Sequence, residues 1–116
     1  PSFFFKGRAN RMVQVFGASQ IRDTSAHGSA VFESADRAQP KLVIFTNAHD
    51  QSLSLQLQGS IDKEYTNAVN IGQAITALAS MTAPDYEWIV GPWWYLRIVA
   101  TAGSAPSSGQ LDAWIE

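Results

Sequence analysis

GPWWYLRIVATA (residues 91–102) and APSSGQLDAWIE (residues 105–116) are the two stretches that decide the fold. Each alternates apolar and polar positions, which is the period of a β-strand. Leu96, Ile98 and Ala100 share one face of the first strand, and Tyr95 and Arg97 lie on the other. Only one face of a strand can meet the core of a small sandwich, so aromatic residues on the other face need a partner or a ligand. This strand pair therefore predicts a binding surface.

Similar alternation recurs every 10 to 15 positions along the chain, separated by turn residues. The cleanest case is residues 52–58, SLSLQLQ, whose leucines face inward. Residues 41–47 are apolar on both faces, which is typical of a central strand. Weaker strands are predicted at residues 12–16, 29–33, 65–71, 73–78 and 86–90. The pattern predicts an all-β fold, a single antiparallel β-sandwich that is jelly-roll-like, over residues 12–116. Residues 1–11 are expected to form an extended N-terminal arm.

The composition is that of one globular domain with an unusually low charge. The chain has 116 residues, of which 46% are hydrophobic and 16% charged, with four tryptophans and no cysteine. Globular chains usually have about 25% charged residues. A surface this poor in charge suits a protein that is partly covered in an assembly. Neither a signal peptide nor a membrane-length apolar run is recognised, so we expect no membrane partner.

The charge is unevenly distributed along the chain. The first 22 residues contain four bases and no acid, hence +4, and the remaining residues carry −6. The arm begins with Phe3, Phe4 and Phe5 and continues with the bases Lys6, Arg8 and Arg11. A basic, Phe-led arm on an acidic body suits docking between copies or on an acidic lattice. The basic residues do not cluster into a positively charged surface with aromatic residues among them, which is typical of nucleic-acid binding. Nucleic acid is therefore not an expected partner.

The sequence contains only weak indications of a catalytic or metal-binding site. His49 and Asp50 with nearby Ser52 form neighbours rather than the converging groups of a triad, and a solvated hairpin is the expected structure there. The two histidines have no zinc-site spacing. Asp62 and Glu64 lack the spacing of a calcium-binding loop. Asp85 and Glu87 could act as the paired carboxylates of a glycosidase, but nothing in the sequence places them on either side of a cleft. We predict no enzyme activity, no catalytic residue, no metal and no cofactor.

The aromatic residues near the C-terminus leave two functions open. Trp93, Trp94, Tyr95 and the outward Trp114 could stack on sugar rings, as in a carbohydrate-binding or adhesion module. They could instead anchor a subunit interface, where Trp, Tyr and Arg concentrate binding energy. One of the adjacent tryptophans is expected simply to cap the core. If the last strand lies alongside, Arg97 could pair with an acid on it, Asp112 or Glu116.

Four short motifs resemble a family of small virion proteins of tailed bacteriophages. They are LQLQGSID at residues 55–62 (which ends in LQGSID at 57–62), IG at 71–72, PWWYLR at 92–97 and APSSGQL at 105–111. The similarity spans about residues 41–116, and its last motif is the most specific. The chain departs from the family pattern at Lys63, where a glycine commonly follows the aspartate. The resemblance implies a β-sandwich capsid (head) decoration or minor capsid protein, assembled as a homotrimer on the capsid surface, without enzyme activity or cofactor.

The expected function is therefore to bind and stabilise a phage capsid, with the protein made in the host cytoplasm and located in the virion. The arm would reach a neighbouring subunit or the major capsid protein lattice, and the aromatic face would pack against other copies. The predicted protein-interface residues are Phe3, Phe4, Phe5, Lys6, Arg8, Arg11, Trp93, Trp94, Tyr95, Arg97 and Trp114.

Overall fold

The computed structural model describes residues 12–34 and 39–116, and this part of the chain is built from strands. Their bounds are β1 Val13–Ser19, β2 His27–Gly28, β3 Phe32–Glu33, β4 Lys41–Asn47, β5 Leu53–Ser60, β6 Val69–Asn70, β7 Ile75–Ala77, β8 Asp85–Ile89, β9 Tyr95–Ala102 and β10 Leu111–Ile115. Over the described ranges, no helix is both long and apolar enough to cross a membrane. The predicted N-terminal arm, residues 1–11, lies outside the described residues.

The strands form two antiparallel sheets with the connectivity of a jelly roll. One sheet has the order β1-β10-β4-β8, and the other has β2-β9-β5-β6 with β3 also on β9 and β7 also on β5. The short strands β2 and β3 act as one interrupted strand, and so do β6 and β7. The first strand then pairs with the last, and each later strand pairs with its counterpart from the other end, as in a jelly roll. The predicted all-β, jelly-roll-like sandwich is confirmed.

A single apolar core lies between the inner faces of the two sheets. The four central strands, β4, β5, β9 and β10, alternate between buried and more exposed residues along most of their length. Phe45, Leu55, Ile98 and Ile115 are at most 1% exposed. Burial of each such side chain contributes about 1.5 to 3 kcal/mol. The inward and outward residues predicted for β9 and β10 are confirmed, and β4 is the predicted interior strand.

The final two strands do not pair with one another, which corrects the sequence-based expectation. β10 lies between β1 and β4 in the four-stranded sheet, whereas β9 pairs with β2, β3 and β5 in the six-stranded sheet. The connection, residues 103–110, is longer than the two to five residues of a usual hairpin loop. It carries the chain from one layer of the sandwich to the other. The aromatic residues of these strands are therefore divided between two sheets.

The APSSGQL motif forms most of this crossing and is hydrogen-bonded to the turn that follows β4. The Ala48 amide donates to the Gln110 carbonyl at 2.8 Å. The Asp50 carboxylate accepts from the Ser107 amide at 2.9 Å and from the Ser107 hydroxyl. These bonds lower the pKa of Asp50, the Ser107 hydroxyl being the largest cause. The motif is therefore explained by contacts that close one end of the sandwich.

Gly109 is the position in this crossing that tolerates no side chain. Its φ is +92°, a conformation that residues with a Cβ rarely adopt. A Cβ there would lie 2.1 Å from the Ala48 carbonyl oxygen, a backbone atom that cannot move aside without breaking the turn. Glycine is thus required by both conformation and space.

We expect Gly109→Ala to lower the free energy of unfolding by about 2 to 4 kcal/mol, through backbone strain and the clash with Ala48. Gly103→Ala is the matched control, because a Cβ at Gly103 has no atom within 4 Å. The control should change stability by less than about 0.5 kcal/mol. Urea unfolding of both variants measures the difference. Equal stability of the two variants would contradict this role of Gly109.

Candidate functional site

The predicted interface residues are not brought together on one surface. Trp114 points outward from β10 of the four-stranded sheet, since its neighbours Ala113 and Ile115 are fully buried. Tyr95 and Arg97 point outward from β9 of the six-stranded sheet. The two groups therefore lie on opposite outer faces of the sandwich. The six predicted residues of the arm lie outside the part that the structure describes.

Arg97 is held by residues of its own sheet. Its Nε donates to Gln58 Oε1 at 2.8 Å, and its guanidinium carbon lies 4.3 Å from the centre of the Tyr65 ring. Burial raises the pKa of Tyr65 to about 12, and the charge of Arg97 opposes part of that rise. The expected pairing with Asp112 or Glu116 is wrong, because β10 belongs to the other sheet. Arg97 serves here as a structural cation between a glutamine and an aromatic ring.

Trp93 is the tryptophan that caps the core. It is partly buried and packs against the core cluster. A Cβ on Gly59 would lie 2.5 Å from Trp93 Cδ2, and one on Gly91 would lie 2.4 Å from Trp93 Nε1. The glycine of the LQGSID motif thus makes room for this indole. Trp93 Nε1 is buried and finds no hydrogen-bond acceptor among the described residues.

Trp94 is the more accessible tryptophan of the pair, with 38% of its surface exposed. Its carbonyl accepts a hydrogen bond from the Ser34 amide at 2.8 Å, which ties it to the segment after β3. The adjacent tryptophans thus divide between a structural role for Trp93 and a partly exposed position for Trp94.

The strongest candidate site is the outer surface of the four-stranded sheet, which we call the aromatic face. It consists of Leu42, Ile44, Tyr86, Trp88 and Trp114. Trp114 is opposite Ile44, and Ile44 is opposite Tyr86, so that one row of apolar side chains crosses three strands. Leu42 is opposite Trp88 in the next row. Trp88 is 62% exposed and Tyr86 is 59% exposed.

Of this site, the sequence pattern predicts only Trp114 as an interface residue. The pattern predicts a weak strand at residues 86–90 and a strand that is apolar on both faces at residues 41–47, but it contains no sign that the two strands pair. The alternation of Tyr86 and Trp88 was the available indication, since two bulky aromatic residues two positions apart share one face of a strand. Only the pairing of β8 with β4 shows that their outer residues continue the surface of Trp114.

A groove runs along the aromatic face between β4 and β8. Its volume is about 360 Å³. It is lined by Leu42, Ile44, Pro84, Asp85, Tyr86 and Trp88. Five of these six residues present carbon surface, and the carboxylate of Asp85 also accepts from the Tyr86 amide at 2.8 Å. The groove is therefore suited to an apolar or aromatic side chain with a basic neighbour.

The described residues place carboxylates around the aromatic face. Asp112 and Glu116 alternate with Trp114 on the outer face of β10, and Asp85 lines the groove. Asp112 accepts from the Ala18 amide at 2.7 Å, so it is fixed in place. The lysine of β4, Lys41, is buried on the inner side and donates to the Gln39 carbonyl. The face thus presents aromatic rings with a negative rim.

His49 is a buried structural histidine, not part of a solvated hairpin as the sequence suggested. It is fully buried, and its Nε2 accepts from the Ile21 amide at 3.0 Å. Nδ1 therefore carries the hydrogen and donates to Asn47 Oδ1 at 2.8 Å. The carboxylate of Asp50 is bonded to Ser107 instead, so His49 and Asp50 form no relay.

A second histidine cluster, Asp23, Ser25 and His27, also lacks the geometry of a triad. His27 Nε2 lies 2.7 Å from Asp23 Oδ1 and 3.3 Å from Ser25 Oγ. A triad needs the two partners on different ring nitrogens, with the histidine between them. Here one nitrogen meets both, and the cluster is exposed.

The described residues contain no group of three or more metal-ligand side chains. Asp62, considered above for calcium, instead organises the turn after β5. It accepts from the Ser60 hydroxyl at 2.8 Å and from the Thr66 amide at 3.0 Å.

Comparison with known proteins adds little to this geometry. Neither a family model nor a curated protein sequence matches the chain. A solved structure described as "Crystal structure of PirA" is similar at a TM-score of 0.47 and 13% identity, covering 97% of this chain and 100% of that chain. At that level of similarity, no functional conclusion is taken from it.

The burial of His49 has a consequence for stability. Desolvation lowers its pKa below the ordinary value of 6.5, with nearby Arg22 acting in the same direction and Asp50 opposing. The unfolded chain therefore takes up this proton at a higher pH than the native chain. The stability that depends on neutral His49 is complete above pH 6.5 and is lost as the pH falls below it.

We expect the free energy of unfolding to decline below pH 6.5, before the carboxylates with ordinary values near 3.8 begin to titrate. Denaturant unfolding across this range measures the slope. His49→Gln should flatten the slope while lowering stability at neutral pH, and His27→Gln, which changes the more exposed histidine, should retain it. An unchanged slope in His49→Gln would show that another group causes the pH dependence.

Proposed function

We propose that this chain is a non-enzymatic virion structural protein that binds and stabilises the capsid surface of a tailed bacteriophage. The observation that carries the proposal is the aromatic face, a row of apolar side chains on the solvent side of a sheet whose other side already covers the core. Trp and Tyr are enriched among the residues that dominate binding energy at protein interfaces. Trp88 and Tyr86 have more than half of their surface available for such contacts.

The proposed mechanism is attachment of the aromatic face to the major capsid protein lattice. A decorator that binds the assembled shell, and not free shell subunits, stabilises the shell by mass action. We further propose that copies assemble as homotrimers on the shell, with Trp114 near the contact between copies. The resemblance of the LQGSID and APSSGQL motifs to phage decoration proteins supports this class of partner.

A second candidate is a carbohydrate-binding or adhesion module. The exposed Tyr86 and Trp88 beside the Asp85 carboxylate favour it, because sugar rings stack on aromatic side chains and their hydroxyls bond to carboxylates. The remaining lining of the groove, Leu42, Ile44 and Pro84, offers few hydrogen-bond partners to a sugar. A protein side chain fits that lining better, so the capsid lattice is preferred.

We expect Trp88→Ser and Tyr86→Ser each to weaken binding to assembled shells by about 30-fold, the equivalent of about 2 kcal/mol for an interface anchor. Leu78→Ser is the matched control, since Leu78 is 68% exposed and lies beyond β7 of the other sheet. Co-sedimentation with undecorated shells, purified from the virus whose genome encodes this chain, measures the affinity.

Shell binding at wild-type affinity by both aromatic variants would contradict the proposed docking surface. No binding of the wild-type protein to shells would contradict the capsid proposal itself. Tryptophan fluorescence titration with glycans then tests the second candidate, which requires a response that Trp88→Ser removes.

A further inference from the structure

The groove between β4 and β8 is apolar, is rimmed by carboxylates and lies on the same sheet as the first strand of the chain. We propose that the Phe3–Phe4–Phe5 segment of the chain's own N-terminal arm occupies this groove. The occupant is argued from where the arm leaves the sheet, how far it reaches and what charge it carries.

The described chain begins at residue 12, just before β1, at the end of the sheet that holds Leu42 and Trp88. Val13, the first residue of β1, is opposite Ile115, and Ile115 is opposite Val43. The position before Val13 is therefore level with Glu116, and Glu116 exchanges two backbone hydrogen bonds with Leu42, which lines the groove. The chain that precedes β1 thus begins beside the row that contains Leu42 and Trp88.

The arm is long enough to reach the groove of its own chain. Strands in a sheet are about 4.8 Å apart, so the space between β4 and β8 is about 12 Å from β1. Phe5 precedes Val13 by eight residues, which span up to about 26 Å when extended. The arm can therefore cross β10 and place its phenylalanines against Tyr86 and Trp88.

The chemistry of the arm matches the groove and its rim. Three successive phenylalanines supply rings for an apolar lining. Lys6, Arg8 and Arg11 follow them, and the path across β10 passes the carboxylates of Asp112 and Glu116. A second copy of the aromatic face would instead bring acidic rims together. Charge complementarity therefore favours the arm over a face-to-face dimer.

A segment of the same chain has an advantage over that of another copy. Two sites joined by a short stretch of one chain meet at an effective concentration in the millimolar range, above that of dilute protein in solution. The occupancy of the groove does not rest on the proposed function.

Disulfide trapping tests the occupancy of the groove. The chain has no native cysteine, so the only disulfides that can form are those between the introduced cysteines. The test variant is Ser2→Cys with Val90→Cys, since Val90 is 73% exposed and lies directly after β8, two residues beyond Trp88. The control is Ser2→Cys with Ser54→Cys, because Ser54 is exposed on the outer face of the six-stranded sheet. Both are oxidised at dilute concentration and analysed on non-reducing gels.

We expect about tenfold more intramolecular disulfide in the test variant than in the control, from the raised local concentration of a docked arm. Adding Phe3→Ser, Phe4→Ser and Phe5→Ser to the test variant should reduce trapping to the control level. Equal trapping in both cysteine pairs, or trapping that survives the three serines, would overturn the proposal. Linked dimers in place of the intramolecular product would assign the groove to the arm of a second copy and also overturn it. None of these outcomes depends on shell binding.

Discussion

The buried side chain of Asn47 fixes the end of the sandwich on which the crossing between the sheets depends. Asn47 is fully buried, and its amide donates to the carbonyls of Gln51, Ala77 and Leu78, while its Oδ1 accepts from the backbone and the ring of His49. Buried polar groups that lose their partners cost about 1 to 3 kcal/mol each. One side chain therefore links the end of β4 to β7, and through His49 to Ile21. The crossing of residues 103–110 then closes over this turn.

The two outer faces of the sandwich have different chemistry, and this difference is the basis of the functional argument. The six-stranded sheet turns Gln56, Gln58 and Thr101 outward, with Arg97 tied to Gln58 and stacked on Tyr65. Gln56, Gln58 and Arg97 find hydrogen-bond partners within the chain. The four-stranded sheet turns a row of aromatic and aliphatic side chains outward beneath a rim of carboxylates. The two most exposed aromatic side chains of the described residues, Tyr86 and Trp88, thus lie on one side of the molecule.

Most of the local structure could be predicted, because strand alternation is a property of neighbouring residues. The inward positions of Leu96, Ile98, Leu111 and Ala113 follow from the period of two, and burial confirms them. The site could be predicted only in part. Trp114 was found from its own strand, whereas Tyr86 and Trp88 belong to the site only because β8 pairs with β4. Pairing between strands so distant in sequence leaves no local pattern to recognise.

The sequence by itself determined the strands, the inward side of each and the antiparallel, all-β class, since these depend on hydrophobic periodicity and turn residues. The tertiary structure decided which strands are neighbours. It placed β9 and β10 in different sheets, set Trp93 against Gly59 and buried His49 beneath Ile21. It also turned Arg97 and Trp114 to opposite sides of the molecule. The physical reason is that alternation fixes which residues face the core, while the closing of a jelly roll depends on long-range packing and hydrogen bonds between segments far apart in the chain.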